Sequence, residues 1–278
     1  MHDCGIGVLI AHSKKVLTMP TLSLSLSLSI IFLFHSFTDT RIVLITGNEY
    51  EDDGGDEDGR MELIVNDNMT TLCQINNDFP IDGVRGATGN VLGTSMIICG
   101  GDGNLKDCYE YTYEKNWTHL TQMTTARWGA ASVIYNGAIW VSGGANDEGN
   151  ELSNTELIFP NGTANQGIDL PEEINGHCAV EWNGTIIITG AGSTWIYSSN
   201  EDLKLTIGPR MEKARYWHGC GIFKSPAHSG RPLVLTAGGV GGGGASRISE
   251  FWDFTVPGTK WQLSKLCSFI CTAFFPLL

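Results

Sequence analysis

The chain has 278 residues, 42% of them hydrophobic, enough for the core of one large β domain or two ordinary domains. With 17 basic against 30 acidic side chains and a net charge of −13, it lacks the clustered Lys and Arg that meet a phosphate backbone, which excludes nucleic acid as a partner. Eight cysteines are too sparse for a small disulfide-dense scaffold but fit an oxidising compartment.

In chain order, Lys14 and Lys15 stand before an uncharged run, 16–38, in which alternating Leu and Ser give way to Ile-Ile-Phe-Leu-Phe. That is the order of a signal sequence, compact if translation starts at Met19 and longer from Met1. Residues 1–38 are therefore expected to be a leader whose cleavage releases a secreted protein. The run also approaches the roughly 20 residues that cross a bilayer once, so a retained single-pass anchor is the alternative, and a buried strand is a third. Any membrane attachment would run through this segment.

The first repeat opens with Ile-Val-Leu-Ile-Thr-Gly, ending at Gly47, followed by an acidic loop at 49–59. An EF-hand fails there, because Gly54 falls on the first ligand position and Val65 where the closing Glu belongs, so a solvated charge run is expected. Strands at 61–65 and 71–75 complete the unit. The second repeat carries Met-Ile-Ile-Cys-Gly100-Gly101, with Tyr111 and Trp117 bracketing a later turn. Cys99 ends its second strand and Cys108 begins its third, so a hairpin brings them side by side as a disulfide. The third repeat, 126–144, is the best-formed copy: two β-favouring runs joined by Asn136-Gly137, the strongest short hairpin signal, and closed by Gly143 and Gly144. In the fourth, Asn183-Gly184 joins 177–182 to 185–189, and Gly190-Ala191 stands in place of the glycine pair. The fifth has Trp217, a polar connection, the closure at Gly238 and Gly239, a glycine-rich stretch at 238–246 that reads as a flexible loop, and Trp261. The apolar tail 265–278 has no glycine closure.

The last glycines, Gly47, Gly101, Gly144, Gly190 and Gly239, are separated by 54, 43, 46 and 49 residues. A period in this range means propeller, solenoid or array, and intervals made of short β-type runs without helical periodicity favour a propeller blade. Four N-glycosylation acceptors, at Asn68, Asn116, Asn161 and Asn183, lie at turns or strand ends of the repeat and support secretion.

These residues resemble the kelch-repeat family: an Arg ahead of the first strand, a second strand ending in Gly-Gly, a Tyr in the third, and a Trp about six residues later. Arg127, Gly143 and Gly144 match. So do Arg85, Gly100, Gly101, Tyr111 and Trp117 in the second repeat and Arg215, Gly238, Gly239 and Trp261 in the fifth. The third repeat lacks its Trp, and Thr46-Gly47 replaces the pair in the first. The resemblance covers about 42–263 and implies an all-β, kelch-type propeller over 39–264 with five recognisable blades. In such a scaffold the glycine pairs let strands approach, buried Tyr and Trp fill the wedges between sheets, and the Arg bridges blades. The first repeat begins at its second strand, so the ring is expected to be incomplete, or closed into an improvised six-blade ring by the C-terminal tail.

The family's implied role is protein binding through loops, here to an extracellular protein or glycan. The alternative is a secreted enzyme of the galactose oxidase type, whose kelch-like propeller holds copper through Tyr and His. His177 and His218 occupy equivalent first-strand positions, but no nucleophile elbow, P-loop or HExxH segment is present, so no catalytic residue, metal or cofactor is assigned.

Overall fold

The computed structural model describes residues 7–10, 27–35, 40–47, 60–65, 86–93, 95–102, 105–112, 114–198, 204–224, 226–241, 244–246 and 248–264. Their regular structure is strand throughout, apart from one 3-10 turn at Pro226–His228. The chain divides into two compact units, Met1–Ala11 with Leu26–Asn175, and His12–Ser25 with Gly176–Leu278.

The first unit contains β1 (Gly7–Ile10), β2 (Ser27–His35), β3 (Thr40–Gly47) and β4 (Arg60–Val65), paired in that order. It continues with β5 (Thr88–Leu92), β6 (Ser95–Cys99), β7 (Asp107–Thr112) and β8 (Asn116–Gln122), then β9 (Ala131–Tyr135), β10 (Ala138–Ser142), β11 (Thr155–Ile158) and β12 (Ala164–Gln166), each set an antiparallel sheet in chain order. The second unit holds β13 (Cys178–Trp182), β14 (Thr185–Gly190), β15 (Ser193–Ser198) and β16 (Lys204–Ile207) as one sheet. Its other strands are β17 (Gly219–Lys224), β18 (Pro232–Ala237), β19 (Val240–Gly241), β20 (Gly244–Ala245), β21 (Ser249–Trp252) and β22 (Gln262–Leu263). Of these, β17-β18-β21-β22 form a sheet and β19–β20 a separate small hairpin. The glycine-rich stretch expected to be a flexible loop is thus partly ordered, with Val240 opposite Ala245 and Gly241 opposite Gly244.

Each glycine-ended run after β3 is the second strand of its sheet. The sequence leaves β3 without a first-strand partner short of the C-terminal tail, and here the structure differs. The apolar run upstream supplies the partner: β2 pairs with β3 from Ser27 opposite Gly47 to His35 opposite Thr40, with a register shift between Ser27 and Ser29. A composition of Ile, Phe and alternating Ser and Leu suits a strand as well as a leader, because both are rich in apolar side chains. The acidic loop 49–59, the strand at 71–75, Arg85, Asn68, Cys73, the terminal cysteines and the tail 265–278 lie outside the described residues.

The second strands β6, β10 and β14 read as unbroken apolar runs because both of their faces are covered. In β10 all five residues, Ala138 to Ser142, are buried, and in β6 and β14 so are all but the first. In the first unit Ile97, Cys99, Cys108 and Met123 pack with Ala130, Ile139, Val141 and Ile158, so one core joins the sheets of β5–β8 and β9–β12. In the second, Ile187 and Met211 pack with Val234, Trp252 and Trp261. At about 1.5–3 kcal/mol for each large apolar side chain taken from water, these interfaces outweigh any single turn or surface contact.

Within a four-stranded meander the first-to-second and third-to-fourth turns lie at one end of the sheet, the hairpin end. The second-to-third connections, and the segments that lead between sheets, lie at the other, the loop end. Asn136-Gly137, with φ 48° and 72°, and Asn183-Gly184, with 48° and 78°, form two-residue hairpins of the left-handed kind expected. The fourth repeat departs from the glycine-pair pattern for a local reason. Gly190 stays in its strand opposite Ser193, and the left-handed positions fall on Ala191 (φ 52°) and Gly192 (φ 85°), a two-residue turn in place of a loop. An L-residue with a Cβ costs about 1–2 kcal/mol in that conformation. Ala191→Gly is therefore expected to raise the unfolding free energy by about 1 kcal/mol, read as a higher denaturation midpoint with an unchanged slope, whereas an unchanged or lower midpoint would contradict the strain.

Candidate functional site

Arg127 and Arg215 are almost fully buried, and their Nη1 and Nη2 groups are bound in the same way. Arg127 donates through Nη1 to the carbonyls of Gly143 (2.7 Å) and Asn154 (3.0 Å), and through Nη2 to the Glu156 carboxylate at 2.8 Å. Arg215 repeats this with Gly238 O (3.5 Å), Ile248 O (2.6 Å) and Glu250. In both cases Nη1 holds the two ends of the second-to-third connection, residues 143–154 and 238–248, so one guanidinium clamps the base of a long loop. The carboxylates are satisfied from the other side: Glu156 accepts from the backbone N–H of Thr124 (2.6 Å) and Thr125 (2.9 Å), and Glu250 from Glu212 (2.7 Å) and Lys213 (3.1 Å). Burial lowers the Arg127 and Arg215 pKa values despite the opposing pull of their carboxylates. For Glu156 burial acts upward, but the N–H groups of Thr124 and Thr125 together with Arg127 outweigh it and hold the carboxyl below its ordinary value.

The expectation that these arginines bridge blades is corrected in detail. The guanidinium stays within its own sheet, and the backbone makes the bridge: Arg127 O accepts from Gly101 N (3.1 Å) and Arg215 O from Ala191 N (3.0 Å). Ile174, which stands where those arginines do, accepts in the same way from Gly144 N at 2.8 Å. Sequence reading missed Glu156 and Glu250. Their signal is Thr-Glu and Ser-Glu entering a third strand in repeats that also carry an Arg and a glycine pair.

The glycine pairs sit where the resemblance puts them. Gly144 has φ 94°, and a Cβ there would lie 2.7 Å from Trp128 O; at Gly239 the corresponding contact, to Tyr216 O, is closer still. The wedge-filling aromatics are partly different residues. Tyr111 and Trp117 are half-buried and face each other across β7 and β8, ring centroids 5.2 Å apart. Trp261 does fill the interior of the second unit, donating from Nε1 to Thr194 Oγ1 (3.0 Å) in the neighbouring sheet, and in the third repeat Trp140, buried in β10, donates to Thr155 Oγ1 (2.8 Å).

Among the described residues two disulfides are formed. Cys99–Cys108 joins directly opposed residues of β6 and β7. Cys178–Cys220 joins β13 to β17, the first strands of consecutive repeats. The same pair of positions in the first unit is taken by Thr88 and Ser132, hydrogen bonded at 2.9 Å between β5 and β9. His177 and His218 are buried at their first-strand positions, with His218 Nε2 2.9 Å from Thr189 Oγ1. Among the described residues no group of three or more His, Cys, Asp and Glu is placed to hold a metal, and no helix is long and apolar enough to cross a membrane.

At the loop end the two units differ at one pair of equivalent bridges. In the first, Trp128 bridges to Ala145, which is fully buried, and its Nε1 donates to Asn146 O (3.2 Å). Asn146 in turn organises the loop, its Oδ1 accepting from Glu148 N (3.1 Å) and Asn150 N (2.9 Å). In the second unit the bridge is Tyr216 to Val240, and both side chains are exposed, at 39% and 46%. Beside them Trp217 holds a left-handed backbone (φ 56°) at the place where Gly129 and Gly176 stand, its N–H on Gly176 O at 2.6 Å. Exposed aromatic and aliphatic side chains on a strained but fixed backbone form the candidate contact surface.

No family model matches the chain, and no curated protein matches it. A solved structure described as "Structure of YjhT" is similar over 90% of this chain and 86% of its own, with a TM-score of 0.66 at 12% identity. At that identity the likeness is one of fold, and with the four-stranded antiparallel sheets it makes this an all-β, propeller-like protein. Its two disulfides are consistent with an extracellular protein.

Glu156→Gln leaves the buried Arg127 without its counter-charge and is expected to cost about 3–5 kcal/mol. Because the Glu156 pKa is lowered by folding, its contribution is present above the ordinary glutamate pKa and lost as pH falls through the lowered value. The variant's stability should therefore vary less with acid pH than wild type, and parallel acid limbs would refute the assignment. For the disulfides, chain entropy assigns about 4 kcal/mol to Cys178–Cys220, with a sequence separation of 42, and about 2.5 kcal/mol to Cys99–Cys108, with a separation of 9. Urea unfolding of the two paired Cys→Ala variants should show the larger loss for the first pair.

Proposed function

We propose that this chain is a kelch-type β-propeller acting as a secreted interaction module, which engages an extracellular protein or glycan through the loop end of its sheets. The observation that carries the reading is the exposed Tyr216–Val240 bridge beside Trp217, where the equivalent Trp128–Ala145 bridge is packed and hydrogen bonded. Tyr and Trp are the side chains that binding surfaces favour, offering large apolar area with a polar handle and little entropy to lose. The kelch assignment is supported by the glycine pairs and by the paired Arg–Glu clamps in the third and fifth repeats. Secretion is supported by the disulfides.

The test is a screen of purified protein against arrayed glycans and cell-surface ectodomains, with Tyr216→Ser/Val240→Ser alongside wild type. A ligand of the wild type is expected to bind the double variant at least tenfold more weakly, with the melting midpoint of the protein unchanged. Equal binding by both would place the contact elsewhere. Stoichiometric copper or zinc in the purified protein would instead overturn the purely binding role in favour of a metal enzyme.

A further inference from the structure

We propose that Asn116, Asn161 and Asn183 carry N-linked glycans, and that in each of their sheets the sugar covers the hairpin end and leaves the loop end bare. The inference rests on the secretory reading above, since the acceptor motif is used only in that pathway. Each of the three side chains is exposed. Asn116 begins β8 at the β7–β8 turn with φ 59°, Asn161 lies in the β11–β12 turn, where its Oδ1 accepts from Thr163 N (3.0 Å), and Asn183 lies in the β13–β14 turn with φ 48°. A turn at the tip of two strands gives a bulky polar group room without displacing packed side chains.

The distribution of asparagines gives the sidedness. Among the described residues, Asn116, Asn136, Asn161 and Asn183 stand at the hairpin ends, and all but Asn136 have Thr two residues on. At the loop ends stand Asn146, Asn150, Asn154 and Asn175, and none has Ser or Thr two residues on. The loop-end asparagines have structural tasks instead: Asn146 caps its own loop, and Asn154 supplies the carbonyl that Arg127 holds.

The experiment translates the full chain in the presence of secretory membranes in two forms, one with its own N-terminus and one with a known cleavable signal fused ahead of it. It then maps occupancy by mass spectrometry after enzymatic glycan release in isotopically labelled water. With the supplied signal, Asn116, Asn161 and Asn183 are expected to be occupied. Each of N116Q, N161Q and N183Q should remove one step of gel mobility, and native folded protein should lose its glycans to endoglycosidase without denaturant. Absence of sugar at these residues with the supplied signal would overturn the proposal, as would glycans confined to an aggregated fraction. If the fused form is glycosylated and the native form is not, the secretory reading fails while the acceptor sites stand, so the two failures are distinguishable.

Discussion

A buried guanidinium that holds both ends of a loop is the constraint on which the other features of these repeats depend. Taking an Arg and a Glu out of water costs several kcal/mol for each ion, and the pair is tolerable only when nearly every polar atom is met. Arg127 meets Gly143 O, Asn154 O and Glu156, and Glu156 meets Thr124 N and Thr125 N, so the ion pair is stitched into backbone on both sides. The length and sequence of the loop between the two clamped carbonyls then become free variables. The fourth repeat is the control that nature supplies: its connection is the two-residue turn Ala191-Gly192, there is no loop base to clamp, and Ile174 stands where the clamping Arg would be. What persists there is the carbonyl bridge between sheets, which needs no side chain.

The packing follows from the same economy. Because second strands are covered on both faces, their side chains carry no alternation, and the polar work moves to strand ends. Trp140 and Trp261 each keep one indole N–H satisfied by a Thr hydroxyl at the start of a third strand, Thr155 and Thr194. Those hydroxyls let a large ring enter the interior without leaving a buried donor unpaired, a fault that costs about 1–3 kcal/mol.

Legibility in the sequence tracked how local the physics was. Asn136-Gly137 and Asn183-Gly184 could be read as hairpins because a two-residue turn with both φ positive admits few residue pairs. Cys99 and Cys108 could be paired because they flank one connection and face each other in register. Cys178 and Cys220 could not, since their contact depends on how two first strands lie side by side, although the Thr88–Ser132 hydrogen bond shows that the position recurs. Glu156 and Glu250 went unread, because the partner that draws each inward lies about thirty residues away, at Arg127 and Arg215. The run 27–35 was ambiguous for a different reason: apolar composition does not distinguish a leader from a strand, and the pairing with β3 is not local.

The candidate surface is where the repeat departs from its own rule. Gly129 and Gly176 occupy a left-handed position ahead of a first strand, where each fits without steric penalty, yet the fifth repeat places Trp217 there. The substitution is possible only because Gly176 has no side chain: a Cβ on it would lie 2.7 Å from the Trp217 ring, so the missing atom on one repeat makes room for the large ring of the next. The strain is held by the Trp217 N–H on Gly176 O and by the bridge from Tyr216 to Val240. Strained, over-determined backbone bearing exposed apolar groups is retained where rigidity of a surface matters more than stability, because a partner then has less disorder to remove on binding. The clamped loop base at Gly238 and Ile248 lies in the same repeat, so the bridge residue Val240 projects from a connection whose ends are fixed by Arg215.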